Sequence, residues 1–183
     1  PEKIPENPGE ITMYKTLLGD PEISFDMRLK DYISLFKPRS QPKDYGDSVV
    51  FQEKTFELEI FRASDSIWWA HNELAYREKV PENSKLPSEK KATELAAMYI
   101  EKYRMKTSYA KYSHVSYSKV IVMDKKNKKE EKYNTEINVN YSFNFDGIPI
   151  EGPGAKIQVS FVERNKLCEL YYFWRVPKKD IEM

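Results

Sequence analysis

Histidine and cysteine, which often serve in acid–base and zinc chemistry, are rare in this chain. The sequence contains two histidines, His71 and His114, and one cysteine, Cys168. A structural zinc site needs four ligands at set spacing, so we expect neither a zinc site nor a cysteine-rich metal site. His71 precedes Asn72 and Glu73, so it could be a general base that a carboxylate orients. We favour the simpler interpretation of a partly exposed histidine at the end of a strand.

Motifs for phosphate binding and nucleophilic catalysis are missing from the sequence. The run Gly152-Pro153-Gly154 lacks the lysine and the spacing of a phosphate loop, and no Gly-x-Ser-x-Gly elbow occurs. Cys168 falls on a predicted strand, and no neighbour in the sequence would activate its thiol. We therefore predict no catalytic residue, no cofactor and no metal site.

Aromatic residues are the best candidates for a binding surface. The chain has 13 tyrosines, 9 phenylalanines and 3 tryptophans. Neighbouring residues on a strand point to opposite faces, so Trp68 and Trp69 cannot both face one core. The outward rings either pack between two lobes or form an exposed hot spot with nearby arginines. The candidate binding residues are Arg62, Trp68, Trp69, His71, Tyr172, Trp174 and Arg175.

Composition and charge narrow the class of protein. The 183 residues carry 30 Lys and Arg against 29 Asp and Glu, so the net charge is +1. A nucleic-acid-binding domain usually has a clear excess of basic residues, and we expect no nucleic-acid partner. No apolar run approaches the roughly 20 residues that span a bilayer, so we expect no integral membrane segment. Because the sequence begins at Pro1, we expect that an initiator methionine or a signal peptide has been removed.

Two amphipathic segments predict helices. Asp20-Pro21-Glu22 is a typical helix start, and an apolar stripe follows it until Pro38 ends the segment. Pro87-Ser88-Glu89 opens a clearer helix, in which Ala92, Leu95, Ala96, Tyr99, Ile100 and Tyr103 line one side.

Alternating patterns predict strands after each helix. Residues 55–62 alternate and lead through a turn into residues 67–70, which predicts a hairpin. Residues 109–124 form one long extended segment, and residues 133–145 give the strongest two-residue alternation in the chain. Strands this long must curl around a helix, so we predict an α+β fold with a helix on a curved antiparallel sheet, of PepSY or cystatin type.

The order of elements predicts the domain organisation. Residues 1–19 form an extended N-terminal arm, and residues 20–83 form a smaller lobe of helix and hairpin. Residues 84–177 form a helix with a four-stranded antiparallel sheet, and residues 178–183 form a tail. Because both lobes place a helix before strands, the chain is predicted to contain two similar lobes that arose by internal duplication.

Short motifs resemble PepSY and FTP-type domains. The run Asp146-Gly147-Ile148-Pro149-Ile150-Glu151-Gly152 is similar to the hairpin between the long strands of those domains. The segments 58–64 and 66–69, with the closing Trp174-Arg175, resemble uncharacterised secreted bacterial proteins and the two-lobed YycI/YycH regulators. This resemblance implies an extracytoplasmic or secreted, non-catalytic module that inhibits, docks on or regulates a partner.

Several functional classes remain open at this point. The first hypothesis is a binding or regulatory, inhibitor-like module that acts on a protein or peptide partner through strand edges and aromatics. The alternative is a small-molecule-binding or acid–base enzyme domain of the cone-shaped NTF2-like type, with a pocket between helix and sheet. A self-assembling structural module is the third hypothesis, and the sequence does not define the oligomeric state.

Overall fold

The computed structural model describes residues 14–17, 23–64, 66–75, 77, 85–105, 109–124, 126, 128–145, 148–150, 156–173 and 176–179. Within these residues the chain folds as an α+β protein, in which two α-helices pack against one antiparallel sheet. The predicted fold class is therefore confirmed. Neither helix in this part of the chain has the length and apolar character that crossing a membrane requires.

The first helix, α1, spans Phe25–Phe36. The Ser24 side chain accepts a hydrogen bond from the backbone N–H of Met27 (3.3 Å), which satisfies one unpaired donor of the first turn. Lys37 ends the helix in the left-handed conformation with φ 52°, and its N–H donates to the Ile33 carbonyl. The predicted start at residues 20–22 is therefore wrong, because the helix begins at Phe25 after an extended Ser24.

The second helix, α2, spans Glu89–Lys102 and begins where the sequence predicted. Ser88 caps it, because its hydroxyl accepts a hydrogen bond from the N–H of Lys91 (3.3 Å). Ala92 and Ala96 are completely buried against the sheet. Their small side chains allow the helix backbone to approach the strands closely.

The strands form one large sheet and one separate pair. In chain order they are β1 (Tyr14–Leu17), β2 (Lys43–Asp44), β3 (Ser48–Gln52), β4 (Phe56–Phe61), β5 (Ile67–His71), β6 (Ala110–Asp124), β7 (Lys129–Phe145), β8 (Ile148–Ile150), β9 (Lys156–Val162), β10 (Lys166–Phe173) and β11 (Val176–Lys179). The large sheet has the order β2-β3-β4-β5-β10-β9-β7-β6, with β8 beside the end of β7. All pairs are antiparallel, and β1 pairs with β11.

Two units of the same plan share this sheet. In the first unit α1 is followed by β2, β3, β4 and β5, and in the second unit α2 is followed by β6, β7, β9 and β10. The last strands of the two units pair, since Leu170 lies opposite Trp69 and Tyr172 lies opposite Ile67. Strands from residues 20–83 and 84–177 are therefore parts of one continuous sheet over one core. The four-stranded sheet expected for the second unit is one part of that larger sheet.

The core lies between the sheet and the two helices. Alternation along each strand sends one set of side chains toward the helices, where the packing of apolar groups excludes water. The other face of the sheet is covered by no helix of the described residues. We call it the polar face, and its members include Glu59, Trp68, Asn138, Ser160 and Glu169. The most deeply buried side chains toward the helices are Leu58, Ile60, Ile67, Ile137, Val139, Phe143, Ile157, Val159, Phe161 and Leu170.

Candidate functional site

The tryptophan pair is divided between the two faces of the sheet. Trp69 points toward the helices and packs on the core, with its ring centroid 5.9 Å from that of Phe56. Trp68 lies on the polar face, where its indole N–H donates to Glu169 Oε1 (2.8 Å). Both rings are half-buried: Trp69 packs against the core, and a carboxylate holds Trp68 on the other face.

The remaining predicted binding residues are spread over the molecule. Arg62 forms an ion pair with Asp44 (2.5 Å), and its guanidinium lies 4.5 Å from the centre of the Phe25 ring. Tyr172 is 1% exposed and belongs to the core, so it is not part of an exposed surface. His71 is half-buried at the end of β5. Trp174 and Arg175 lie outside the described residues. The structure does not bring the described candidates together into one site.

Strand β6 forms one edge of the sheet and is the most exposed of the long elements among the described residues. It has 15 residues and pairs on one side with β7, and no described strand pairs with its other side. One register shift places the extra residue Ser113 in β6, and a second shift, opposite Ser118 and Lys119, places the extra residue Thr135 in β7. The opposite edge of the sheet is the two-residue strand β2. Short edge strands are a common protection against unwanted pairing, whereas long ones are open to a further strand.

Side-chain amides on β7 fasten the middle of β6 in place. Asn138 Nδ2 donates to Ser118 Oγ (3.1 Å), and Asn140 Nδ2 donates to Ser116 Oγ (3.0 Å). Both asparagines are more than nine-tenths buried on the polar face. Buried polar groups that are hydrogen-bonded rigidify the structure around them. The stretch of β6 from His114 to Ser118, which we call the central edge, is therefore held in an extended conformation before any partner binds.

The side chains of β6 differ between the two faces. Tyr112, Val115 and Tyr117 lie opposite Tyr141, Val139 and Ile137 and share the helix side of the sheet with them. On either side of the central edge, Lys111 and Lys119 are exposed. Neither lysine forms an ion pair or a side-chain hydrogen bond within the described residues. The central edge is thus apolar toward the helices and flanked by two positive charges.

A polar groove of about 690 Å³ lies on the polar face beside Ser118 and Lys119. Arg77 is one of its lining residues, and its guanidinium donates two hydrogen bonds to Glu163, of 2.9 Å and 2.7 Å. Both side chains of this ion pair are largely buried. The hydrogen bonds from Arg77 hold the pKa of the Glu163 carboxyl below its usual range. Among the described residues, no group of three or more His, Cys, Asp or Glu side chains could hold a metal ion.

Cys168 is completely buried in β10. Burial raises the pKa of its thiol, and the carboxylates of Glu136 and Glu169 act in the same direction. The reactive thiolate is therefore rare at neutral pH. We predict that iodoacetamide alkylates Cys168 roughly a hundredfold more slowly in the folded protein than in denaturant, as mass spectrometry can follow. Equal rates would show that the thiol is accessible in the folded protein.

Neither histidine is among the described residues that line the cavities beside α1 and α2. One cavity of about 680 Å³ lies between α2 and the start of β6, with Ile100, Met105 and Tyr141 among its lining residues. His71 Nδ1 instead accepts a hydrogen bond from the N–H of Glu73 (3.2 Å), and the exposed His114 contacts Ser113 Oγ (2.9 Å). The acid–base alternative therefore has no histidine in a described pocket.

The hydrogen bonds between β6 and β7 could not be predicted from the sequence, because they depend on the register in which the two strands pair. The pattern Ser116-x-Ser118 on one strand and Asn138-x-Asn140 on the next is visible in the sequence. Only the pairing of the two strands shows that the amides reach the hydroxyls. The exposed Lys111 and Lys119 carry no signal in the sequence beyond their charge.

Comparison with known protein families, with characterised proteins and with solved structures found no match to this chain.

Proposed function

We propose that the chain is a non-catalytic binding module that takes an extended segment of a partner protein as an additional strand along the central edge of β6. The observation that carries this proposal is a 15-residue edge strand whose outer side pairs with no strand of the described residues. Strand addition obtains affinity from backbone hydrogen bonds and specificity from alternate side chains.

The central edge suits this kind of binding because it is rigid. The hydrogen bonds from Asn138 and Asn140 tie Ser118 and Ser116 to β7, and β9 supports β7 from behind. A preformed strand loses little conformational freedom on binding, which leaves more of the interaction energy for affinity. The extra residue Ser113 interrupts the regular pairing of β6 on one side of the central edge, so we propose a short partner strand that pairs within residues 114–118.

The side chains of the edge define the chemistry of the partner. A strand beside Val115 and Tyr117 would place apolar side chains toward the helix side. Lys111 and Lys119 flank the same stretch, so acidic residues near the ends of the partner strand would find opposite charges. The proposed partner is therefore an extended segment with alternating apolar residues and acidic ends.

The biological setting of this binding is also a proposal. The resemblance of the Asp146–Gly152 run to PepSY and FTP-type hairpins supports an extracytoplasmic, inhibitor-like or regulatory role. A non-catalytic role agrees with the positions of His71 and His114 outside the described cavities.

A synthetic peptide tests strand addition directly. The probe is a nine-residue palindrome with valine and threonine alternating in the middle five positions and two glutamates at each end, so that either orientation presents the same side chains. We expect saturable binding in an NMR titration, with slower hydrogen exchange of the outward amides of residues 114–118. Two control peptides carry N-methyl groups on alternate amides, one on the odd-numbered and one on the even-numbered residues, so each lacks the hydrogen-bond donors of one edge. The control peptide that lacks the donors facing β6 should not bind.

Charge variants test the identity of the edge. The double variant Lys111→Glu/Lys119→Glu is expected to weaken peptide binding by about tenfold, because it places like charges opposite the glutamates. The control, Lys90→Glu/Lys91→Glu on the exposed side of α2, changes the net charge equally and should bind like the wild type. Undiminished binding of both N-methylated peptides, or absence of amide protection on β6, would refute strand addition.

A further inference from the structure

A second cavity lies at the seam between the two units of the fold. It has a volume of about 170 Å³, is open to solvent on one side, and is lined by residues of α1, the end of α2 and β10. Pockets between structural units are common places for small ligands. A cavity of about 150 Å³ is large enough for benzene, so this one has room for a small organic molecule. The lining residues used below are Arg28, Asp31, Tyr32, Tyr103, Arg104 and Tyr172.

The inner part of this seam cavity is aromatic. Tyr103 and Tyr172 are both at least nine-tenths buried. Phe36 stacks on Tyr103 with ring centroids 4.3 Å apart and an angle of 6° between the planes. Burial raises the pKa of the Tyr103 phenol, so it remains protonated at neutral pH. This end of the cavity offers ring surface to an apolar group.

The outer part of the seam cavity carries charges of both signs. Asp31 on α1 and Arg104 after α2 are exposed, and neither side chain has a hydrogen bond or ion pair within the described residues. Arg104 is held at φ 51°, where its N–H donates to the Glu101 carbonyl. Arg28 adds a fixed positive charge, because its guanidinium donates to the carbonyls of Ile23 (2.8 Å) and Arg62 (3.0 Å).

We infer that the seam cavity binds a small zwitterion, an α-amino acid with an apolar side chain of about the size of leucine. The carboxylate faces Arg104 and Arg28, the ammonium group faces Asp31, and the side chain packs against Tyr103 and Tyr172. Charge-assisted hydrogen bonds to both ends of the ligand would distinguish it from molecules that carry only one charge. This site is separate from the β6 edge and does not depend on the proposed peptide binding.

Calorimetry with three ligands of the same shape tests this inference. L-leucine carries both charges, 4-methylpentanoate lacks the ammonium group, and 3-methylbutylamine lacks the carboxylate. We expect leucine to bind in the millimolar range or more tightly, and each analogue to bind about tenfold more weakly. Absence of saturable leucine binding, or equal affinity for all three ligands, would overturn the inference.

Two variants, each with one charged side chain replaced by a neutral amide, test which residue binds each end of the ligand. In Asp31→Asn, leucine and 4-methylpentanoate should bind with the same affinity, because the partner of the ammonium group is gone. In Arg104→Gln, leucine and 3-methylbutylamine should bind alike for the corresponding reason. Both residues are exposed, so the fold should be unaffected, and the exposed Arg164→Gln serves as the control with unchanged leucine affinity. Unchanged ligand preference in both variants would place the binding elsewhere.

Discussion

Replacement of Phe161 by alanine is expected to lower the free energy of unfolding by about 3–5 kcal/mol. Phe161 is completely buried in β9, between Ile137 on β7 and Leu167 on β10. Its ring also lies 5.9 Å from that of Tyr99 on α2, so it joins three strands to the helix. Removal of the ring loses apolar burial and leaves a cavity that a sheet cannot easily close. Urea unfolding followed by circular dichroism measures the change.

Shortening an exposed side chain near the end of β6 provides the control. Ile121 is 57% exposed, and the variant Ile121→Ala should alter stability by no more than about 0.5 kcal/mol. If Phe161→Ala were equally harmless, the packing of α2 on the sheet would be wrong.

Replacement of Arg77 by methionine is expected to cost about 2 kcal/mol of stability at pH 7. The methionine keeps much of the apolar stem but leaves the largely buried Glu163 carboxylate without its two hydrogen bonds. The double variant Arg77→Met/Glu163→Gln removes the unpaired charge and should recover part of the loss. Thermal and urea unfolding of the three proteins in the same buffer give the comparison.

The Arg77–Glu163 pair also predicts a pH dependence of stability. Hydrogen bonds from Arg77 lower the pKa of Glu163 in the folded protein, and the charge of Lys166 acts in the same direction. A carboxyl group whose pKa is lower in the folded protein stabilises the fold at pH values above its pKa in the unfolded chain, which is about 4.3. This contribution is lost as the pH falls through the pKa of the folded protein. The stability difference between the wild type and Arg77→Met should therefore be full at pH 7 and shrink below about pH 4. A difference that stays constant between pH 7 and pH 3 would contradict the ion pair.

The helix and strand pattern of the second unit could be predicted because it depends on local periodicity. Ser88 supplies a cap where a helix must begin, and the apolar residues from Ala92 to Tyr103 follow helical spacing. The alternation after Tyr133 is strict enough to predict a strand with one face toward the helices, and the observed strand β7, Lys129–Phe145, includes this segment. The first helix could be identified from its stripe, but its cap is Ser24 rather than one of the earlier candidates.

The candidate site could be predicted only in part. The sequence showed that Trp68 and Trp69 must point in opposite directions, but it did not show which of them meets the core. That outcome depends on the pairing of β5 with β10, which lie about 100 residues apart in the chain. The exposure of β6 likewise depends on which strands occupy the edges of the sheet.

Spacing along the chain alone determined the α+β class, the second helix and the long strands, because backbone periodicity and capping act over a few residues. Tertiary structure decided how the two units join, which strands form the edges of the large sheet and which charges lie together at the seam. These features depend on which distant segments pair to bury the same apolar surface, and that pairing is a property of the whole sheet.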